Sequence, residues 1–293
     1  MTPLGPAVGH NVVMSDQPLP PAVVATDLSV RYRQRGSAVA ARAVSGVHFS
    51  IEHGETLAVI GESGSGKSTL ARVLAAEHDL DIQASPRITG GALRVLDTSL
   101  RRISDRKRDR LRARIGYLPQ GAGSLLVPHL TAGESIAEPI FARDRKFNQT
   151  TAGMVVATLI DAVRLPMLTM NKFPYELSAG QRQRIAIARA LVLEPSLLIA
   201  DDPTSGVDVT ARVAIIDIIH ELQTDLAFSA FIVTSNLHEV QRLSNRVLVM
   251  CRGEVVGHGD LDEVFANPQH PYVETLARTY ELDYQQQSVD ANV

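Results

Sequence analysis

Nine residues constrain this chain more than any others: Gly61-Glu62-Ser63-Gly64-Ser65-Gly66-Lys67-Ser68-Thr69. Before them, Thr56-Leu57-Ala58-Val59-Ile60 is short, apolar and β-rich; after them, Leu70-Ala71-Arg72-Val73-Leu74 has the composition of a helix. Strand, Gly-rich loop and helix in that order form the context that a phosphate-binding P-loop requires. The residue types follow from the chemistry. Glycines let the backbone take positive φ and turn its N–H groups inward around phosphate oxygens. Lys67 adds a point charge at the β- and γ-phosphates, and the Ser68 hydroxyl is suited to ligating Mg²⁺. The positive end of the following helix faces the same anion. A flexible Gly/Ser linker would not need Gly-Lys-Ser at this spacing between strand and helix. The stretch implies a chain that binds a nucleoside triphosphate.

Composition narrows the rest. With 293 residues the chain can build one large core or two modest lobes. A formal charge of −3 gives no global basicity that would argue for a nucleic-acid partner. The single cysteine, Cys251, excludes an internal disulfide and any cysteine-cluster metal or iron–sulfur site within this chain, and it is compatible with a reducing cytosol. No apolar run approaches the ~20 residues needed to span a bilayer. No Lys or Arg precedes Arg31, which argues against a secretory signal. The expectation is a soluble chain whose membrane role, if any, comes through partners.

Residues 1–24 carry five prolines and no periodicity, and read as a mobile tail. The alternation Leu28-Ser29-Val30-Arg31-Tyr32 predicts a half-buried strand, and a second strand region runs from about Ala41 to Ile51. Ile88 to Val95 predicts a hairpin strand on a β-layer. Arg101 to Arg114 is rich in arginine; because Asp105 and Asp109 interleave and no aromatic does, it reads as a solvated helix face rather than a nucleic-acid patch. Ile115 to Gln120 reads as a core strand. Residues 121–181 change character: helices over Thr131–Phe141 and Met154–Val163 flank the polar segment Asp144–Thr151 and form an insert. The core then resumes with a helix over Gln181–Leu193 and the apolar strand Ser196–Ala200, which ends in Asp201-Asp202. Ile215, Ile218, Ile219 and Leu222 share one helix face, Phe231–Thr234 predicts another strand, and Val247–Val256 a hairpin. Short buried strands alternating with helices predict an α/β class with a mostly parallel sheet covered on both sides. The expected organisation is a nucleotide-binding core over 25–120 and 182–266, the helical insert over 121–181, and a C-terminal extension over 267–293.

An apolar strand ending in an acid, here at Asp201, is the expected partner of a P-loop, since the acid leaves the strand beside the phosphates and holds Mg²⁺. Between the two lies Glu176-Leu177-Ser178-Ala179-Gly180-Gln181-Arg182-Gln183-Arg184, which resembles the signature motif of ABC-type ATPases, usually spelled Leu-Ser-Gly-Gly-Gln. Asp201-Asp202-Pro203-Thr204-Ser205-Gly206-Val207-Asp208 is similar to that family's Walker B segment and D-loop. Gln120 matches its Q-loop, and Tyr32 stands where an aromatic stacks on adenine. The resemblance covers about residues 25–280. Phe173-Pro174-Tyr175-Glu176 and Asn267-Pro268-Gln269-His270-Pro271-Tyr272 are most similar to the oligopeptide, dipeptide and nickel importer branch.

The resemblance implies a P-loop NTPase (RecA-like) core with an antiparallel β-layer and an inserted α-helical subdomain. It implies ATP and Mg²⁺ as ligands, with Ser68, Gln120 and Asp201 at the metal. Gly61 to Thr69 and Tyr32 would surround one nucleotide, Ser178, Ala179, Gly180 and Gln181 the nucleotide of a second cassette packed head to tail, and Asp208 is a further nucleotide-binding residue. Two transmembrane permease subunits and an extracellular substrate-binding protein are the implied partners, and the cytoplasmic face of the membrane the implied location. His270, which could be imagined as a metal ligand, reads as structural in its His-Pro-Tyr context.

Three positions depart from the family pattern. Walker B ordinarily ends Asp-Glu, the Glu orienting the attacking water; here that residue is Asp202. One methylene fewer retracts the carboxylate by about 1 Å, and a misplacement of that size can cost roughly 10²-fold. The family's switch histidine is replaced by Ser235, whose hydroxyl neither carries the imidazole's charge nor reaches as far, a further loss on the order of 10²-fold. His238, one helical turn on, is a possible substitute. Ala179 replaces the first signature glycine, tolerable if its φ stays negative. With Gln120, Asp202 and Ser235 are the candidate catalytic groups. The expectation is a cassette that holds ATP better than it hydrolyses it, paired with an intact, different cassette. The alternatives are a fully active homodimer, a non-transport ATPase such as a phosphonate-lyase accessory subunit, and a nucleotide-gated scaffold without turnover.

Overall fold

The computed structural model describes residues 20–32, 41–77 and 85–279. Two sheets carry the chain. The first is antiparallel, in the order β2-β1-β4-β5, from β1 (Val23–Tyr32), β2 (Ala41–Ile51), β4 (Pro86–Val95) and β5 (Thr98–Ser99). The second has the order β10-β9-β3-β8-β7-β6, from β3 (Thr56–Gly61), β6 (Ile115–Leu118), β7 (Leu197–Asp201), β8 (Ser229–Val233), β9 (Arg246–Cys251) and β10 (Glu254–Asp260). All its pairings are parallel except β9 with β10. Parallel strands need covering crossovers, and their uninterrupted apolar composition reflects burial on both faces. Every residue of β7 and of β8 is buried; full burial of a Leu or Ile side chain contributes about 1.5–3 kcal/mol.

Strand β1 begins at Val23, inside the stretch that composition alone assigned to a tail, and the rest of that tail (residues 1–19) lies outside the described residues. The alternation is legible only from Leu28 because Asp27 has φ 50° and the pairing register shifts between Ala25 and Leu28. That bulge puts Ala25 and Leu28 on the same buried side despite their spacing of three.

The space between the sheets is filled by one core, in which Leu28, Val30 and Phe49 of the antiparallel layer meet Phe231 of β8 and Leu70 and Leu74 of α1 (Lys67–Leu74). A second core lies on the opposite side of the parallel sheet. It joins α3 (Ala132–Arg143), α4 (Gln149–Ala162), α5 (Ala179–Leu191) and α6 (Val209–Leu226) through Ile136, Ile160, Ile185, Ile215 and Ile219. The predicted polar segment is shorter than expected, because Asn148 caps α4 by accepting from Thr151 N–H at 2.9 Å and the helix starts at Gln149. A third, smaller core packs α7 (Leu237–Leu243), α8 (Leu261–Ala266) and helical residues 271–279 under β9 and β3. At the start of that last helix His270 Nδ1 accepts from Tyr272 N–H at 3.1 Å, the structural role its context predicts. The arginine-rich stretch forms α2 (Asp105–Arg112), with most of its basic side chains exposed but Arg108 buried.

Candidate functional site

Strand β3, held between β8 and β9, delivers the chain to Gly61, and α1 leaves from Lys67. Two glycines are required by space as well as by backbone conformation. At Gly61 (φ 151°) a Cβ would lie 2.0 Å from the Met250 carbonyl oxygen; at Gly66 (φ 104°) it would lie 2.3 Å from that of Ala43. The loop is pinned at its centre, where Ser65 N–H donates to Glu62 O at 3.1 Å and Gly253 N–H donates to Ser65 O at 3.0 Å. Lys67 Nζ donates to Gly61 O and Glu62 O, both at 2.7 Å. Burial pushes its pKa down, and the carboxylates of Asp201, Asp202 and Glu62 oppose that shift. Helix α1 has no side-chain cap and no acid in its first turn, so its leading N–H groups face the loop without an internal anion. An enclosing loop, an ammonium group and an uncapped helix start together fit a polyphosphate.

Asp201 closes this cradle from the end of β7. It is buried, and Ser68 Oγ donates to its Oδ1 at 3.0 Å. Burial raises the Asp201 pKa, partly opposed by that hydrogen bond and by Lys67. A serine hydroxyl beside a buried carboxylate, both oxygen ligands, is a donor set that suits Mg²⁺. Asp202 follows with φ 54°, the left-handed region uncommon for a residue other than glycine, and its N–H donates to Val233 O at 2.9 Å. Its carboxylate is half-buried, which raises its pKa; Arg212 pulls the other way most strongly, followed by Lys67 and a hydrogen bond from Gln120. The structure thus brings Lys67, Ser68, Gln120, Asp201 and Asp202 to one place. Tyr32 lies at the rim, its hydroxyl 3.2 Å from Thr69 Oγ1.

Ser235 is exposed just beyond β8, ahead of Asn236, which caps α7, and His238 lies in the first turn of that helix. The signature segment forms the start of α5. Ser178 Oγ accepts from Gln181 N–H at 3.2 Å while Gln181 Oε1 accepts from Ser178 N–H at 2.9 Å, a capping box. Ala179 is the first helical residue and is absent from the positive-φ set, so its methyl meets the condition set for it. Gly180 has Ala211 of α6 3.1 Å from where its Cβ would be. Asp208 caps α6, accepting from Ala211 N–H at 2.9 Å.

Two residues that the sequence did not single out tie these parts together. Gln183, 2 % exposed, donates to Pro203 O at 2.7 Å and accepts from Gly123 N–H at 2.9 Å. It therefore links α5 to the segment after Asp202 and to the segment after Gln120. Glu239 is buried and accepts from Thr204 Oγ1 at 2.8 Å and Thr234 Oγ1 at 2.5 Å, linking the Asp202 segment to the end of β8. A polar residue on the buried face of α5 was a visible signal for Gln183; Glu239 had none, since α7 is short and its acid faces inward.

Among the described residues no helix is long and apolar enough to cross a membrane. The ABC transporter family model matches residues 44–205. The chain is 38 % identical over 236 residues to the oligopeptide transport ATP-binding protein OppF of Salmonella typhimurium, covering 80 % of this chain and 68 % of that one. It is 39 % identical over 235 residues to OppD of Mycobacterium bovis, covering 80 % of this chain but spanning only 37 % of that longer relative. Among solved structures, the ATP-binding cassette MJ0796, a dimer bound to ADP and Pi, aligns with a TM-score of 0.72 at 25 % identity, over 82 % of this chain and 98 % of that one. The loop from Gly61 to Thr69, the acids closing β7, the capped signature helix and these matches agree: the chain belongs to the ABC transporter family of ATP-binding cassettes, with a P-loop α/β core.

Proposed function

We propose that this chain is the ATPase subunit of an importer for peptides or similar small solutes, and the slowly hydrolysing member of a pair with a different cassette. The importer reading rests on the relatives, two of which are named as oligopeptide transport proteins. It brings with it two permease subunits, an extracellular binding protein and a place at the cytoplasmic face of the membrane. Gly61 to Thr69 would hold the triphosphate, and Ser68 and Asp201 would hold Mg²⁺, which supplies charge neutralisation at the phosphates. Tyr32 would contact the base. Ser178 to Gln181 and Asp208 would face the nucleotide of the partner cassette, with the Ser178 hydroxyl and the α5 helix start available to a γ-phosphate.

The single observation that carries the asymmetry is the pairing of an intact phosphate cradle with Asp202 and Ser235. The Asp202 backbone is fixed by its bond to Val233 O, so the main chain is not free to slide forward and recover the missing methylene. With one methylene fewer than the family's glutamate, its carboxylate would stand about 1 Å short of the place from which that glutamate orients a water. The exposed Ser235 hydroxyl offers neither charge nor length. The site therefore binds nucleotide and activates water poorly.

The test is made on the purified transport complex. Restoring Asp202→Glu with Ser235→His should raise ATPase turnover, while replacing the partner's P-loop lysine should remove most of it. If turnover does not rise and the partner's lysine is dispensable, the asymmetric reading is wrong and a symmetric pair replaces it.

A further inference from the structure

The arginine-rich stretch has no place in the nucleotide site. Arg101, Arg102 and Arg108 instead converge with Arg87 of β4 on one cleft of about 340 Å³, between the antiparallel layer and α2. Thr89 adds a hydroxyl, and among the described residues neither a carboxylate nor an aromatic ring lines the cleft. Arg108 is 9 % exposed. Its Nη2 pairs with Asp105 Oδ1 at 3.1 Å, but its buried Nε–H has no hydrogen-bond partner among the described residues. A buried guanidinium N–H left without an acceptor is costly. Arg101 is oriented by donating to Gly91 O at 3.2 Å, and Arg102 is held at φ 60°. In the sheet, Arg87 stands directly opposite Arg31 of β1, so two cations share one face at adjacent positions. Like charges so placed repel.

Arg101 and Arg102 bring two exposed cations to the cleft beside the buried Arg108, whose paired acid, Asp105, is not among the described residues that line it. Guanidinium groups present planar forks of N–H donors that match phosphate oxygens, and several of them around one cleft suit a doubly charged oxyanion better than a single carboxylate. The lack of aromatic rings for base stacking argues against a single-stranded nucleic acid. We propose that this cleft binds a phosphate group, carried by a free phosphate monoester or by a phospholipid headgroup, independently of the nucleotide site. None of its lining residues belongs to the P-loop, the acids of β7 or the signature helix, so its occupation does not depend on how fast this chain hydrolyses ATP.

The experiment uses the full chain with its P-loop saturated by Mg·ADP, and reads the rate of phenylglyoxal modification at each arginine by peptide mass spectrometry. Glycerol 3-phosphate is one probe; vesicles of phosphatidylglycerol, against phosphatidylcholine vesicles, are the other. At a probe concentration of twice the dissociation constant, modification of Arg87, Arg101 and Arg102 should slow about threefold, while the exposed Arg143 and Arg278 react unchanged. Protection by the soluble ester assigns a metabolite phosphate, and protection by anionic vesicles alone assigns a headgroup; either supports the site. The double variant Arg101→Gln/Arg102→Gln, at exposed positions, should weaken protection of Arg87. Absence of protection in both arms overturns the proposal, as does equal protection by potassium chloride at matched ionic strength.

Discussion

Gln183 offers the sharpest test of how the site is held. Replacing it with alanine leaves the Pro203 carbonyl and the Gly123 N–H without their partners in a region with almost no water access. Each buried group so orphaned costs about 1–3 kcal/mol. The vacated space is large enough to admit a water, about 30 Å³, which would restore part of the bonding. We therefore expect Gln183→Ala to lose about 3 kcal/mol, and Gln183→Met, which fills the space without admitting a water and orphans both groups, at least about 3 kcal/mol. The assay is urea unfolding of the nucleotide-free chain, comparing midpoints at constant slope. The same variants, assembled with the permease and partner cassette, should lose ATPase activity, because Gln183 joins the signature helix to the segments carrying Gln120 and Asp202. A stability change within about 0.5 kcal/mol of wild type, the range of an ordinary surface substitution, would refute the linkage.

Gly66→Ala should abolish measurable ATP binding in a fluorescent-nucleotide titration, because its Cβ would lie 2.3 Å from Ala43 O. Gly64→Ala meets no atom within 4 Å and should cost only the left-handed backbone penalty of about 1–2 kcal/mol. For Asp201→Asn the sign follows from burial: the folded carboxyl titrates above its unfolded value, so the stability it contributes is complete below the unfolded pKa and lost as pH rises through the folded one. Without nucleotide, the variant should match wild type in acid and become the more stable of the two towards neutral pH. It should also lose the Mg·ATP stabilisation, about 2.7 kcal/mol at a hundred times the dissociation constant. Glu239→Gln removes one of the two acceptor oxygens serving Thr204 and Thr234, and should cost about 1–2 kcal/mol in thermal unfolding.

The parts most legible in the sequence were those where local chemistry and tertiary role coincide. The P-loop is spelled by its own backbone demands, and β7 announces itself by five buried residues ending in an acid. The two-residue error at the start of α5 was avoidable, because Ser178-x-x-Gln181 is a capping box and marks the helix start at Ala179. The early start of β1 was hidden by a bulge, since a register shift breaks the period of two on which strand reading depends. The solvated-face reading of residues 101–114 holds for most of α2 but not for Arg108, whose burial depends on β4, distant in sequence. Gln183 and Glu239 act through contacts 20 to 60 and 5 to 35 residues away; the polar residue on the buried face of α5 marks Gln183 as unusual, but its partners are not encoded locally, and Glu239 has no local mark at all.

In the proposed asymmetric pair, this chain's own site retains ATP while its partner turns it over. The complex can be labelled with photoreactive azido-ATP carrying phosphorus-32 at either the α or the γ position, allowed to turn over, and irradiated. With an asymmetric pair, γ-label should stay on this chain while the partner keeps only α-label. Equal loss of γ-label from both chains would contradict it.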